Sequence, residues 1–210
     1  LAKKEIVKAL DDMNASCGYS SAACGTDIIF LESMIERGAE THIFLPFAKK
    51  DFIEISVRRA GGNWVSRFER VLDLATSIHY VTKEGYFGDN ALFSFCNNIL
   101  LGFAAMRGRG MDEDPKLLVF WDGSPGSKGG TGELVKEWRN IFNDPIIIDS
   151  VKVLESVSGG QAYEPISGET KPGIEVLTKP PLPRSIKTML FADVAGFSDI
   201  DDSKTLLFLD

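Results

Sequence analysis

Short apolar runs suited to strands alternate with stretches of helical period from the start of the chain to about residue 149, and that alternation excludes most architectures. A strand, a crossover helix and a second strand running the same way build a parallel sheet, which buries both its faces under helices. Residues 3–12 set Ile6, Val7 and Leu10 on one helical face, and residues 14–18 read as a short strand. Residues 26–37 carry Ile28, Leu31, Met34 and Ile35 at helical spacing, with Gly38 placed for a left-handed cap. Residues 41–47 read as a buried parallel strand ending at a proline. Helices at 51–59 and 63–75 flank the breaker Gly61-Gly62, and 77–81 is a further strand. Residues 89–106 form a long helix, apolar on most sides and therefore expected to be central. A strand at 116–121, a helix at 131–142 and a strand at 145–149 complete the series. The expected fold is α/β, a Rossmann-like parallel sheet with helices on both faces.

Composition narrows the class. A chain of 210 residues with 44% hydrophobic content can bury one sizeable core and carry an appendage. A net charge of −7 argues against a general nucleic-acid surface, which needs clustered excess Lys and Arg. No apolar run approaches the roughly 18 residues of a membrane span, and no secretory signal precedes the first helix, so a cytoplasmic protein without membrane contact is expected. Cys17, Cys24 and Cys96 are odd in number and lack C-x-x-C spacing, which suits reduced thiols. The chain opens inside a helical pattern without Met, as expected of a segment cut at both ends.

The texture changes after about residue 155. Residues 156–185 are rich in Gly, Ser and Pro and end in Pro180-Pro181-Leu182-Pro183, as a linker does. The expected organisation is a domain over 1–155, a linker over 156–185 and the beginning of another domain over 186–210.

Ligands of open parallel sheets bind beyond the carboxyl ends of the strands. Two glycine-containing loops lie at such places. The first holds Gly18, Tyr19, Ser20, Ser21, Gly25, Thr26 and Asp27; its small residues let backbone amides approach an anion at a helix start. The second holds Gly123, Ser124, Lys128, Gly129, Gly130, Thr131, Gly132 and Glu133, with Thr131 placed to cap a helix and Lys128 as a nearby cation. Neither loop is a P-loop or a G-x-G-x-x-G fingerprint.

The segment Gly-Tyr-Ser-Ser-Ala-Ala-Cys-Gly-Thr-Asp-Ile-Ile-Phe-Leu-Glu, then Glu-Arg-Gly-Ala-Glu-Thr-His-Ile-Phe-Leu-Pro-Phe, resembles the SLOG superfamily, which includes the Smf and LOG proteins. Gly129-Gly130-Thr131-Gly132-Glu133 is similar to that group's Gly-Gly-x-Gly-Thr-x-x-Glu loop in altered order. The resemblance covers about residues 1–150 and implies binding of a nucleotide or nucleotide-derived small molecule. LOG enzymes hydrolyse a nucleotide N-glycosidic bond, and Glu133 matches their glutamate. Binding without turnover is the expectation; hydrolysis, or a dimerisation platform that binds nothing, are the alternatives.

Residues 184–198, Arg-Ser-Ile-Lys-Thr-Met-Leu-Phe-Ala-Asp-Val-Ala-Gly-Phe-Ser, look like the start of a class III adenylate/guanylate cyclase domain. That resemblance implies that Asp193 and the Val194 carbonyl hold Mg2+ or Mn2+ in the complete cyclase, within an incomplete metal site here. It also implies a homodimer in which the upstream domain biases cyclase assembly. Among the remaining polar residues, Lys49, Lys50, Arg58, Arg59, Arg67 and Arg70 read as a solvated helix face. His42 and His79 read as core or edge histidines with no partner in sequence reach, and Trp121 and Trp138 as core packing.

Overall fold

The computed structural model describes residues 2–58, 62–125 and 129–155. In chain order these form α1 (Ala2–Asp12), β1 (Cys17–Ser20), α2 (Thr26–Glu36), β2 (Glu40–Leu45), α3 (Lys49–Phe52), α4 (Trp64–Leu74), β3 (Ser77–Tyr80), α5 (Ala91–Met111), β4 (Leu118–Trp121), α6 (Thr131–Ile141), β5 (Ile146–Asp149) and α7 (Ser150–Glu155). A π-helical turn, Ile53–Val57, continues α3. The fold is mixed α/β, and every strand pairing among the described residues is parallel.

The strands form two sheets, β1-β2-β3 and β4-β5. Cys17 pairs with Glu40, Tyr19 with His42 and His42 with Ser77, whereas Leu118 stands opposite Ile146. β2 is the middle strand of its sheet, with both edges paired, and helices lie over both its faces, so Ile43, Phe44 and Leu45 are buried. Its near-continuous apolar run has that cause.

Helices cover this sheet on both sides. On one, Ile28 and Leu31 of α2 and Phe68, Val71 and Leu72 of α4 share a buried cluster with Ile43, Leu45, Phe47 and Phe52. On the other, under α5, the rings of Phe44 and His79 meet Phe103 at 5.1 and 5.3 Å. The Cys96 thiol donates to the Phe44 carbonyl from the same helix. The second sheet is joined by side chains: Leu118 and Ile148 pack against Ile6 and Leu10 of α1 and Met34 of α2. Trp138 is a core residue whose indole N–H donates to the Asn143 carbonyl at 2.7 Å.

The structure moves three sequence expectations. β1 begins at Cys17, so Gly18, Tyr19 and Ser20 are strand residues rather than loop. Asn14 at φ 49° turns the chain off α1 while the Ala15 amide bonds back to the Leu10 carbonyl, which leaves no extended backbone there. α5 runs to Met111 and is not central: Phe95 and Met106 are 56% and 71% exposed, because only one side of the helix meets the small sheet. The helix expected over 51–59 starts at Lys49 and widens into the π turn at Ile53. The expected linker and the segment 186–210 lie outside the described residues.

Candidate functional site

Between β1 and β4, where no strand pairing among the described residues joins the two sheets, lies a cavity of about 330 Å3. β1 and β4 form its walls, with Ile6 and Leu10 of α1 and Asn97, Leu101 and Arg107 of α5 around them. Ser21, Thr26 and Asp27 reach it from the connection between β1 and α2, and Thr131 reaches it from the start of α6. The two loops singled out from sequence thus meet on one cavity, each through the first turn of a helix.

The first loop is held by its own polar groups. The Asp27 carboxylate accepts from the Ser21 hydroxyl at 3.1 Å and from the Ala23 amide at 3.2 Å. Burial pushes the Asp27 carboxyl above the usual range, against the lowering effect of those bonds. The Cys24 amide donates to the Ser56 carbonyl in the π turn, which anchors the loop from the side. Gly25, with φ 95° and ψ −126°, occupies a backbone state that side chains resist. Neither N-cap, Gly25 of α2 or Gly130 of α6, makes a side-chain cap hydrogen bond.

The second loop is fixed from both ends. Asp122 accepts from the Ser124 amide at 2.8 Å, which holds its carboxyl below the usual range, and the Trp121 indole donates to the Ser124 carbonyl at 2.8 Å. Gly123 and Gly129 supply positive φ, at 84° and 78°. Glu133 accepts from the Gly129 amide at 2.5 Å and the Ser94 hydroxyl at 2.7 Å, while the Asn97 amide donates to the Gly129 carbonyl at 3.2 Å. Glu133 therefore fastens the loop to α5.

Of the residues expected at the site, Gly18, Tyr19, Ser20, Ser21, Thr26, Asp27 and Thr131 line the cavity. Gly25, Gly123, Ser124, Gly129, Gly130, Gly132 and Glu133 shape the loops without lining it. Lys128, Asp193 and Val194 lie outside the described residues. Sequence reasoning missed the α5 contribution, although Asn97, Leu101, Ala104 and Arg107 recur at helical spacing; the apolar character of the whole helix hid that stripe.

Two further polar groups find partners across elements. His42 Nδ1 and Ser77 Oγ are 2.7 Å apart, and Ser77 Oγ lies 2.8 Å from His79 Nε2. Strand register supplies the partner of His42, whereas His79 meets Ser77 two residues earlier on its own strand, a partner that sequence spacing alone offers. Arg67 grips Glu32 through Nε at 2.8 Å and Nη2 at 2.5 Å and stacks over the Trp64 ring at 4.1 Å. That pairing holds the Glu32 carboxyl below the usual range. Near the cavity, burial raises the Cys17 thiol despite a hydrogen bond with Tyr19, and burial first pushes the Tyr19 hydroxyl up to about 12.

No protein-family model matches the chain, and no curated protein is significantly similar to it. No helix among the described residues is long and apolar enough to cross a membrane.

Proposed function

We propose that residues 1–155 form a Rossmann-like sensor domain of the SLOG kind that binds a nucleotide or nucleotide-derived signal between β1 and β4. The observation that carries this reading is the arrival of two helix starts, at Thr26 and Thr131, on one cavity. Helix N-termini favour anions through their free amides and the helix dipole, so phosphate oxygens suit this end. The Asp27 carboxylate is an acceptor for a ribose hydroxyl, and Phe30, Leu101 and Phe120 offer apolar surface to a base. A volume of about 330 Å3 falls within the range of roughly 300–1,000 Å3 typical of small-molecule sites. The engagement of Glu133 with Gly129 and Ser94 favours binding without turnover.

The sequence of residues 184–198 extends the proposal: the domain regulates a class III cyclase in the cytoplasm, working as a homodimer. Mg2+ or Mn2+ at Asp193 and Val194 belongs to the complete cyclase. Calorimetric titration of the 210-residue chain with ADP-ribose, NAD, cyclic and adenine nucleotides tests the binding step. One of them is expected to bind at a single site. Thr26→Glu, which keeps a favourable charge at the helix start but repels phosphate, is expected to weaken binding by about tenfold or more. Absence of heat with all of them overturns the reading.

A further inference from the structure

At the amino-terminal ends of β1 and β2, away from the two glycine loops, strand register sets three unlike donors side by side. Cys17 stands opposite Glu40, and His42 follows two residues along the same face. The Cys17 sulfur, a Glu40 carboxylate oxygen and a His42 ring nitrogen all lie within 4.8 Å of one another. Three features go beyond chance proximity. His42 Nδ1 is engaged with Ser77 Oγ at 2.7 Å, and its ring stacks on Tyr19 at 4.9 Å, so Nε2 is the nitrogen left facing the cluster. That nitrogen lies 3.5 Å from Glu40 Oε2. Two donors about 2.0 Å from one tetrahedral metal are separated by roughly 3.3 Å, so the pair is close to a shared-ion geometry.

We propose that Cys17, Glu40 and His42 form a binding site for a divalent transition-metal ion of the zinc class. Thiolate and imidazole select borderline and soft ions over Mg2+ and Ca2+, which require more oxygen ligands than this cluster offers. Three protein ligands leave a fourth tetrahedral position for water or a small ligand. The orienting partners that metal-bound histidine and carboxylate require are also in place. Ser77 fixes the imidazole, and the Arg107 guanidinium lies 3.0 Å from Glu40 Oε2, so a bound ion shares that oxygen with it or takes the other carboxylate oxygen. Cys17, Tyr19 and Arg107 also border the cavity between β1 and β4, so the ion would sit at its rim. This assignment does not depend on the nucleotide reading.

The test uses the full 210-residue chain, stripped of metal and titrated with Co2+, whose thiolate complex has a charge-transfer absorption. One equivalent is expected to bind with that absorption, and Zn2+ is expected to displace it. Cys17→Ser should abolish the absorption; Glu40→Gln and His42→Gln should weaken binding at least tenfold. Ser77→Ala, a positioning change, should cost about 10–100-fold in affinity. Far-ultraviolet circular dichroism checks folding; should Cys17→Ser not fold, the Glu40→Gln titration, at a partly exposed position, decides. The proposal is overturned if folded wild type gives no charge-transfer absorption. It is equally overturned if the absorption persists in Cys17→Ser, or if Glu40→Gln and His42→Gln bind as wild type does.

Discussion

Asp27 sits where burial and hydrogen bonding oppose each other, and burial dominates. A carboxyl whose pKa is raised in the folded state binds its proton more tightly there than in the unfolded chain. Its contribution to stability is therefore complete below the ordinary aspartate range and is lost as pH rises through the raised value. Asp27→Asn lacks this titration and retains an acceptor for the Ala23 amide. The stability of wild type relative to this variant should fall between acid and neutral pH, measured by urea unfolding; a constant difference would sink the idea. Glu32 behaves in the opposite sense. The Arg67 fork lowers its pKa, so that stabilisation is present above the ordinary glutamate range and fades on acidification. Because the pair is partly buried and backed by Trp64, Arg67→Ala should cost about 1–2 kcal/mol. Arg67→Lys should recover only part of that, since lysine lacks the planar fork. Full recovery by lysine in thermal unfolding would show that charge alone matters.

Element by element, the connection between β1 and α2 has the least tolerance. Gly25→Ala must force a side chain into φ 95°, and a loss of about 1–3 kcal/mol is expected in denaturant unfolding. At Gly18 the conflict is steric: an added Cβ would stand 2.8 Å from the Phe30 ring. Overpacking of this kind costs about 1–3 kcal/mol, and Phe30→Leu should relieve part of the loss in Gly18→Ala. Additive losses in the double variant would refute a direct clash.

The helices were legible in the sequence where period and terminus agree, as in α2, with Gly38 at φ 72° just past its end. Both strands of the second sheet were legible as apolar runs. For β1 the sequence points to 14–18, a few residues too early, because Cys17-Gly18-Tyr19-Ser20 has little apolar content to mark its bounds and takes them from its pairing with β2. The two candidate loops were readable from glycine placement, yet the α5 wall and the Cys17–Glu40–His42 grouping were not. Their members meet through helix docking and strand register, which local patterns do not encode.

For the whole molecule, what matters is that among the described residues β1 and β4 each pair with a strand on one side. A small molecule bound between them touches both sheets, so saturation should raise the unfolding temperature; a ligand at 100 times its Kd adds about 2.7 kcal/mol. Thermal melts with and without whichever nucleotide the calorimetry identifies measure this, and an unchanged melt despite calorimetric binding would place the ligand elsewhere. The seam also bears on breathing motions. Among the described residues, backbone hydrogen bonds pair the strands within each sheet, and side-chain packing joins one sheet to the other. The two should open as separate cooperative units in native-state hydrogen exchange, with β4-β5 exchanging at lower opening energy than β1-β2-β3. On the proposed reading, a molecule lodged in the seam would act as a rivet, merging two loosely coupled units into one, so that occupancy would change how rigidly the halves move together.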